Sequence, residues 1–248
     1  MDNKYSARFV AVTGIFITCL IVSNIIAVKL ISIGGRVLPA AIIIFPISYI
    51  FGDVLTEVYG YHTARKVIWL GFLCNLFAVL AMWLGGLLPP FSYWDAGGAY
   101  TSSADAQHAY NAILGYTPRI LAASFIGYLL GEFANSFVLA KMKILTKGRW
   151  LWTRTIGSTF VGQLLDSGAF ILIAFAGGAM GWGALGIMVL THWLVKTGYE
   201  ALATPFTYWL VGYLKKKEGV DTYDYSTNFN PFLVFPFSLL SKLKTNKT

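Results

Sequence analysis

The chain has 248 residues, of which 56% are hydrophobic and only 12% charged. A soluble domain carries about a quarter charged residues, so this composition excludes an ordinary soluble domain and predicts an all-α integral membrane protein. The net charge of +8 does not indicate a nucleic-acid partner, because lysine and arginine cluster in four polar segments between or beyond apolar runs. That is the signature of membrane orientation.

Taken in order, Lys4 and Arg8 precede a long apolar run with no small-residue cleavage site, which is expected to be retained as a first span. Six spans near the twenty or so residues a bilayer needs are predicted at about Phe9 to Ile31, Val37 to Glu57, Val67 to Leu88, Ile113 to Lys141, Thr153 to Gly177 and Gly183 to Leu214. Pro39 and Pro46 interrupt the second, which is expected to be broken or tilted, with Asp53 and Glu57 at its inner end. Cys19 and Cys74 sit in apolar segments and read as packing residues, not as a disulfide or metal pair. No cofactor or metal is expected.

The loop from Pro89 to Asn111 holds Phe91, Tyr93, Trp94, Tyr100 and Tyr110, which suit an interfacial aromatic belt or a cap over an external entrance. Gly177, Gly178, Gly181 and Gly183 predict a tight outer turn. Residues 1–214 are read as the transmembrane domain and 215–248 as a cytoplasmic tail. The tail is polar as far as Asn230 and apolar from Pro231 to Leu243, a piece too short to span that would lie on the inner membrane surface. Fifteen of the nineteen lysines and arginines fall on the side holding Arg8, Arg65, Lys66, Lys141, Arg154 and Lys215, against Lys29, Arg36 and Arg119 opposite. Both termini are therefore expected to be cytoplasmic.

Two copies of one phrase dominate the second half: Gly131-Glu132-Phe133-Ala134-Asn135-Ser136 and Gly162-Gln163-Leu164-Leu165-Asp166-Ser167. Each reads glycine, acid or its amide, two apolar residues, amide or its acid, serine. Positions three apart share a helix face, so each copy points a carboxylate and a carboxamide the same way, and the basic turn from Lys141 to Arg154 would set the copies on antiparallel neighbours. Gly127 and Gly131 add a small-xxx-small spacing for close helix approach.

At a rise of about 1.5 Å per residue, Glu132, Asp166, Lys196 and Glu200 fall at one depth near the midplane. Each unpaired charge would cost roughly 2.5 to 3.5 kcal/mol there, so these groups must pair, take up protons or face a wet cavity. Lys196 and Glu200, four apart, could neutralise each other while Asn135 and Gln163 bond across helices as packing glue. One carboxylate would still be in excess, and a surplus acid in a membrane serves a ligand or a proton. Asn24 and Asn75 are further amides for the site or for helix contacts, and His192 reads as a packing residue. Asp53 and Glu57, ahead of Arg65 and Lys66, read either as an inner gate of ion pairs or as a solvated cytoplasmic edge.

Such a site suits a planar base. A guanine-type edge offers adjacent N–H donors to one carboxylate, beside a carbonyl that needs an amide or ammonium donor. Glu132 or Asp166 would take the donors, Asn135, Gln163 or Lys196 the carbonyl, with a stacking face from Trp193, Tyr199, Phe170 or Phe137. An amino acid or another polar heterocycle would satisfy the same groups.

The run from Phe45 to Tyr61 (Phe45-Pro46-Ile47-Ser48-Tyr49-Ile50-Phe51-Gly52-Asp53-Val54-Leu55-Thr56-Glu57-Val58-Tyr59-Gly60-Tyr61), the entry Thr117-Pro118-Arg119-Ile120, both glycine phrases, Arg154-Thr155-Ile156-Gly157-Ser158 and the stretch from Lys196 to Pro205 together resemble the queuosine precursor transporter family, once called vitamin uptake transporters. The likeness covers nearly the whole chain, the apolar tail from Leu233 excepted. It implies a six-helix inner-membrane carrier for the deazapurine 7-cyano-7-deazaguanine (preQ0), with its aminomethyl relative (preQ1) as a second substrate. It also implies a fold similar to the substrate-binding subunits of energy-coupling-factor importers, without their ATPase partner. The rival functions are such a binding subunit working with an ATPase, an intramembrane enzyme, for which no His-Glu-x-x-His, Gly-x-Ser-x-Gly or Walker sequence is present, and an assembly protein. Arg119 and the Pro89 to Asn111 loop would line entry, and Asp53 with Glu57 inward release.

Overall fold

The computed structural model describes residues 6–33, 36–115, 118–178 and 181–234. Within them the elements are α1 (Ala7–Ile26), a hairpin of β1 (Leu30–Ile33) and β2 (Arg36–Pro39), a 3-10 turn (Ala40–Ile43), α2 (Phe45–Tyr59), α3 (Tyr61–Leu87), α4 (Ser103–Leu114), α5 (Pro118–Leu145), α6 (Leu151–Phe175), α7 (Trp182–Glu218) and a last 3-10 turn (Pro231–Val234). Four stretches are long and apolar enough to cross a membrane: Ala7–Ile26, Tyr61–Leu87, the Ser103–Leu145 stretch that contains α5, and Leu151–Phe175. The chain is an all-α membrane protein with one small hairpin. The expected surface piece from residue 235 onward, Lys4 ahead of α1, and Ala179 and Met180 of the outer glycine turn lie outside the described residues.

Two expectations need correcting. The second predicted span is not one interrupted helix: its first residues close a hairpin, with Leu30 opposite Pro39 and Ile33 opposite Arg36, whose first strand takes the end of the first predicted span, and a 3-10 turn follows before α2. Pro39 closes β2, and Pro46 opens the first turn of α2, where a missing N–H costs no helical bond. α2 itself has 15 residues, about 22 Å of helix and short of a full span. In addition, the aromatic outer loop holds a helix, α4, whose N-cap Ser102 accepts the backbone N–H of Asp105 while the Asp105 carboxylate accepts the Ser102 hydroxyl.

α2 is the hub. It contacts α1, α3, α5 and α7, and every residue from Ser48 to Val58 is buried, so it has no solvent or lipid face. Phe16, Leu20, Phe51, Val54, Leu55, Val58, Val67 and Ile68 form the apolar core at its contacts with α1 and α3. Gly60, in the positive-φ region that only glycine enters without strain, turns the chain directly from α2 into α3.

α7 runs 37 residues, about 55 Å, and carries Lys196 and Glu200 at its middle. Beyond Gly219 the chain folds back across the end of α3. The Tyr61 N–H donates to Asp224, the Tyr61 hydroxyl to the Phe229 carbonyl, the Arg65 guanidinium to the carbonyls of Asn228 and Asn230, and the Trp69 indole to the Pro231 carbonyl. Asp224 thus acts as an N-cap supplied from 163 residues away. Asp224→Ala is expected to loosen this strap at a cost of about 1 kcal/mol, visible as faster proteolytic cleavage within residues 219–230 with the helices intact.

Candidate functional site

α5 and α6 pack antiparallel at their glycines. A Cβ placed on Gly131 would lie 2.7 Å from the Asp166 Cβ and 3.1 Å from the Gly162 carbonyl, and one placed on Gly162 would lie 2.8 Å from the Asn135 Cβ and 2.9 Å from the Gly131 carbonyl. The contact is reciprocal: the first residue of each phrase makes room for the fifth residue of the other. Gly127 continues the seam against Asp166. The expected convergence of the two phrases is what the helices form.

Onto this seam α2 presents one face at four-residue spacing, Phe45, Tyr49, Asp53 and Glu57. The Asn135 amide donates to Asp53 Oδ1 at 2.6 Å. The Tyr49 hydroxyl lies against Gly131, 2.5 Å from where its Cβ would stand, and Glu132 Oε2 lies 3.0 Å from the corresponding point on Gly52. Lys196 Nζ of α7 donates to Asp166 Oδ2 at 2.7 Å and sits 4.1 Å from the centre of the Phe45 ring. Glu200, one turn along, lies within electrostatic range of Asp53 and Glu132. Asp53, Glu132, Asn135, Gln163 and Glu200 are all at most 1% exposed, and Asp166 is 6% exposed.

Lys196 therefore does not neutralise Glu200. It reaches Asp166, whose phrase α6 brings to it, and leaves both Glu200 oxygens with no hydrogen-bond partner among the described residues. The same holds for both oxygens of Glu132, Oδ2 of Asp53, Oδ1 of Asn135 and Oε1 of Gln163. Buried polar atoms are almost always partnered. Seven unpartnered acceptors, with the unpartnered Tyr49 hydroxyl beside them, mark a surface shaped for something that mainly donates.

Glu57 is not a solvated edge but an ion-pair centre, with partners other than the neighbouring Arg65 and Lys66. It is fully buried and its carboxylate is held by Arg154, Nε to Oε2 and Nη2 to Oε1 both at 2.8 Å, and by Lys215 at 2.6 Å, with Lys143 at 3.6 Å. Lys143 also donates to the Glu57 carbonyl, to Asp221 and to the Thr222 carbonyl. Arg65, the expected partner, is taken up by the tail. The cluster ties α2, α5, α6, α7 and the tail together at one end of the bundle. Asp221 is partly buried, which opposes ionisation, but hydrogen bonds from Lys143 and Lys215 prevail and hold its carboxyl below the ordinary carboxylate range.

The remaining predicted residues make their contacts elsewhere. Asn24 donates to Asn75 Oδ1 at 3.0 Å and accepts the Ser124 hydroxyl at 3.2 Å, which joins α1, α3 and α5. Arg119 donates Nε to the Ile173 carbonyl at 2.6 Å and a second N–H to the Ala176 carbonyl, bracing the start of α5 on the end of α6. Among the expected stacking rings, Trp193 donates to the Phe160 carbonyl and packs edge-on against that ring, and Phe137 packs against Phe229. The ring that flanks the charged groups is Phe45, with Tyr49 beside it at 5.4 Å. Sequence reasoning passed over both, although the four-residue spacing from Phe45 to Glu57 points to them.

No solved structure matches the chain. Residues 39–210 match a family model described as "Putative vitamin uptake transporter". Among curated proteins, the chain is 29% identical over 187 residues to a "Probable queuosine precursor transporter" of Bacillus subtilis, covering 75% of this chain and 77% of that protein. It is 26% identical over 150 residues to a "Queuosine precursor transporter" of Escherichia coli, covering 60% of this chain and 58% of the relative. The matched segment holds α2, both glycine phrases and the middle of α7, and amounts to more than half of the chain, so the protein belongs to the vitamin uptake transporter family, membrane transporters rather than enzymes.

Proposed function

We propose that the protein carries queuosine precursors, 7-cyano-7-deazaguanine (preQ0) and its aminomethyl relative (preQ1), inward across the bacterial inner membrane for queuosine modification of tRNA. Both termini face the cytoplasm, and the chain works without an ATPase partner. The observation that carries this reading is Glu132, a buried carboxylate with two unpartnered oxygens on the first glycine phrase. It suits the paired N–H donors of a deazaguanine edge, while the Tyr49 hydroxyl or an amide of Asn135 or Gln163 answers the ring carbonyl. The names of the two curated relatives point to the same substrate class. Entry passes Arg119 and the α4 region. Release follows parting of the Glu57 cluster, which closes the other end of the bundle.

The test is uptake of labelled preQ0 and preQ1 by cells that synthesise neither, with candidate partner ATPases deleted. Uptake by the intact chain is expected. Glu132→Gln and Asp166→Asn are each expected to lower it at least about tenfold, since loss of a charge-assisted hydrogen bond is worth about 1.5 to 3 kcal/mol. Uptake of both precursors that vanishes only on ATPase deletion would instead identify a binding subunit of an ATP-driven importer. Unchanged uptake in both variants would remove the site.

A further inference from the structure

We infer that the site discriminates by charge, favouring a precursor that bears a protonated primary amine over a neutral one, with Asp53 and Glu200 as the pair that receives the ammonium. The inference rests on the function proposed above and names the member of that substrate class the site fits best.

The charge balance is one-sided. Asp53, Glu132, Asp166 and Glu200 are buried together, and Lys196 is the lysine that reaches them, its bond spent on Asp166 at 2.7 Å. Arg154, Lys143 and the half-buried Lys215 are committed to Glu57 and Asp221 at the other end of the bundle. Three carboxylates thus remain without a cation among the described residues.

Hydrogen-bond capacity leans the same way: the unpartnered carboxylate oxygens outnumber the Tyr49 hydroxyl that could donate to a ligand. A 7-deazaguanine base offers N–H donors along its pyrimidine edge, which the two oxygens of Glu132 can accept. That leaves Asp53 Oδ2 and both oxygens of Glu200, three acceptors on two carboxylates within electrostatic range of each other. A nitrile arm is an acceptor and would meet only acceptors there. An ammonium arm brings three donors and a positive charge, which matches the groups in number and sign. Asp53 is fixed for this role, because Asn135 holds its other oxygen at 2.6 Å on a helix buried all round. Glu200 has no such tether, and it stands one turn from Lys196 on α7.

The test uses labelled preQ0 and labelled preQ1, with three unlabelled competitors that differ only in the arm at C7: cyano, aminomethyl, and hydroxymethyl as a neutral arm of similar size. The aminomethyl compound is expected to reach half-inhibition at a concentration at least about tenfold below either neutral one, a difference of about 1.4 kcal/mol. Glu200→Gln and Asp53→Asn are expected to narrow that ratio toward one, whatever they do to absolute rates. An aminomethyl competitor no better than the hydroxymethyl one would overturn the inference and leave the carrier function standing. Uptake of neither labelled precursor would remove the carrier function, and the inference with it. Because the competition series uses the intact chain, the result does not depend on whether the variants fold.

Discussion

Glu57→Gln is expected to destabilise the protein by about 3 to 5 kcal/mol, a fall in Tm on the order of 10 °C in detergent solution for a chain of this length. The carboxylate is completely buried, and Arg154, Lys215 and Lys143 converge on it. Removing it leaves Lys143 and Lys215 with only Asp221, whose side chain is 43% exposed, and Arg154 with only the Arg149 and Gly148 carbonyls, and cations buried without counter-charge are far more costly than the pair they came from. Arg154→Met is expected to cost roughly half as much, because Lys215 stays at 2.6 Å from Glu57 and the methionine stem retains the packing. The double variant Glu57→Gln with Arg154→Met should lose less than the sum of the separate changes, since it removes both charges of the pair together. Thermal unfolding of the four proteins checks the order. A Glu57→Gln protein no less stable than one lacking the half-exposed Arg8 of the Arg8–Glu218 pair would show that the cluster does not hold the bundle closed.

That cluster also marks where the sequence stops being readable. Glu57 and its partners are separated by 86, 97 and 158 residues, and no local spacing links them. Arg65, eight residues on, looked the natural partner, but it turned to the carbonyls of a tail 163 and 165 residues away. The glycine phrases were legible for the opposite reason. Each is a local pattern with helical spacing, the turn between them is short, and two buried acids at one depth demand an explanation wherever they pack. The hairpin was missed because Leu30–Ile33 and Arg36–Pro39 are short, mostly apolar pieces, and such runs fit a strand or the end of a helix equally well. α4 was missed although Ser102 and Asp105 carry its capping signal, because the aromatic residues around it drew the reading toward an interfacial loop. Tyr49 and Phe45 went unremarked because in a membrane segment aromatic residues are unexceptional. Only the approach of Gly131 and Lys196 makes them part of the site.

Gly131→Ala and Gly162→Ala are expected to lower stability by about 1 to 3 kcal/mol each, the usual cost of overpacking, and to abolish most transport, while Gly168→Ala, one residue beyond the second phrase, is expected to raise stability by up to about 1 kcal/mol. A methyl on Gly131 would meet the Tyr49 hydroxyl at 2.5 Å and the Asp166 Cβ at 2.7 Å, and one on Gly162 would meet the Asn135 Cβ at 2.8 Å. None of these is the free end of a flexible chain: the tyrosine ring is buried, and the other two atoms are fixed by their own helix backbones. The helices must move apart, and Asp166 and Asn135 move with them, away from Lys196 and Asp53 to which they are bonded at 2.7 and 2.6 Å. Gly168 lies in the same helix with nothing within 4 Å of an added Cβ, so alanine there gains helix propensity without a clash. Tm and precursor uptake measured on all three variants separate the outcomes. If Gly131→Ala matched Gly168→Ala in both, the α5–α6 seam would be ordinary helix packing, and the position of the two carboxylate–amide pairs would not depend on it.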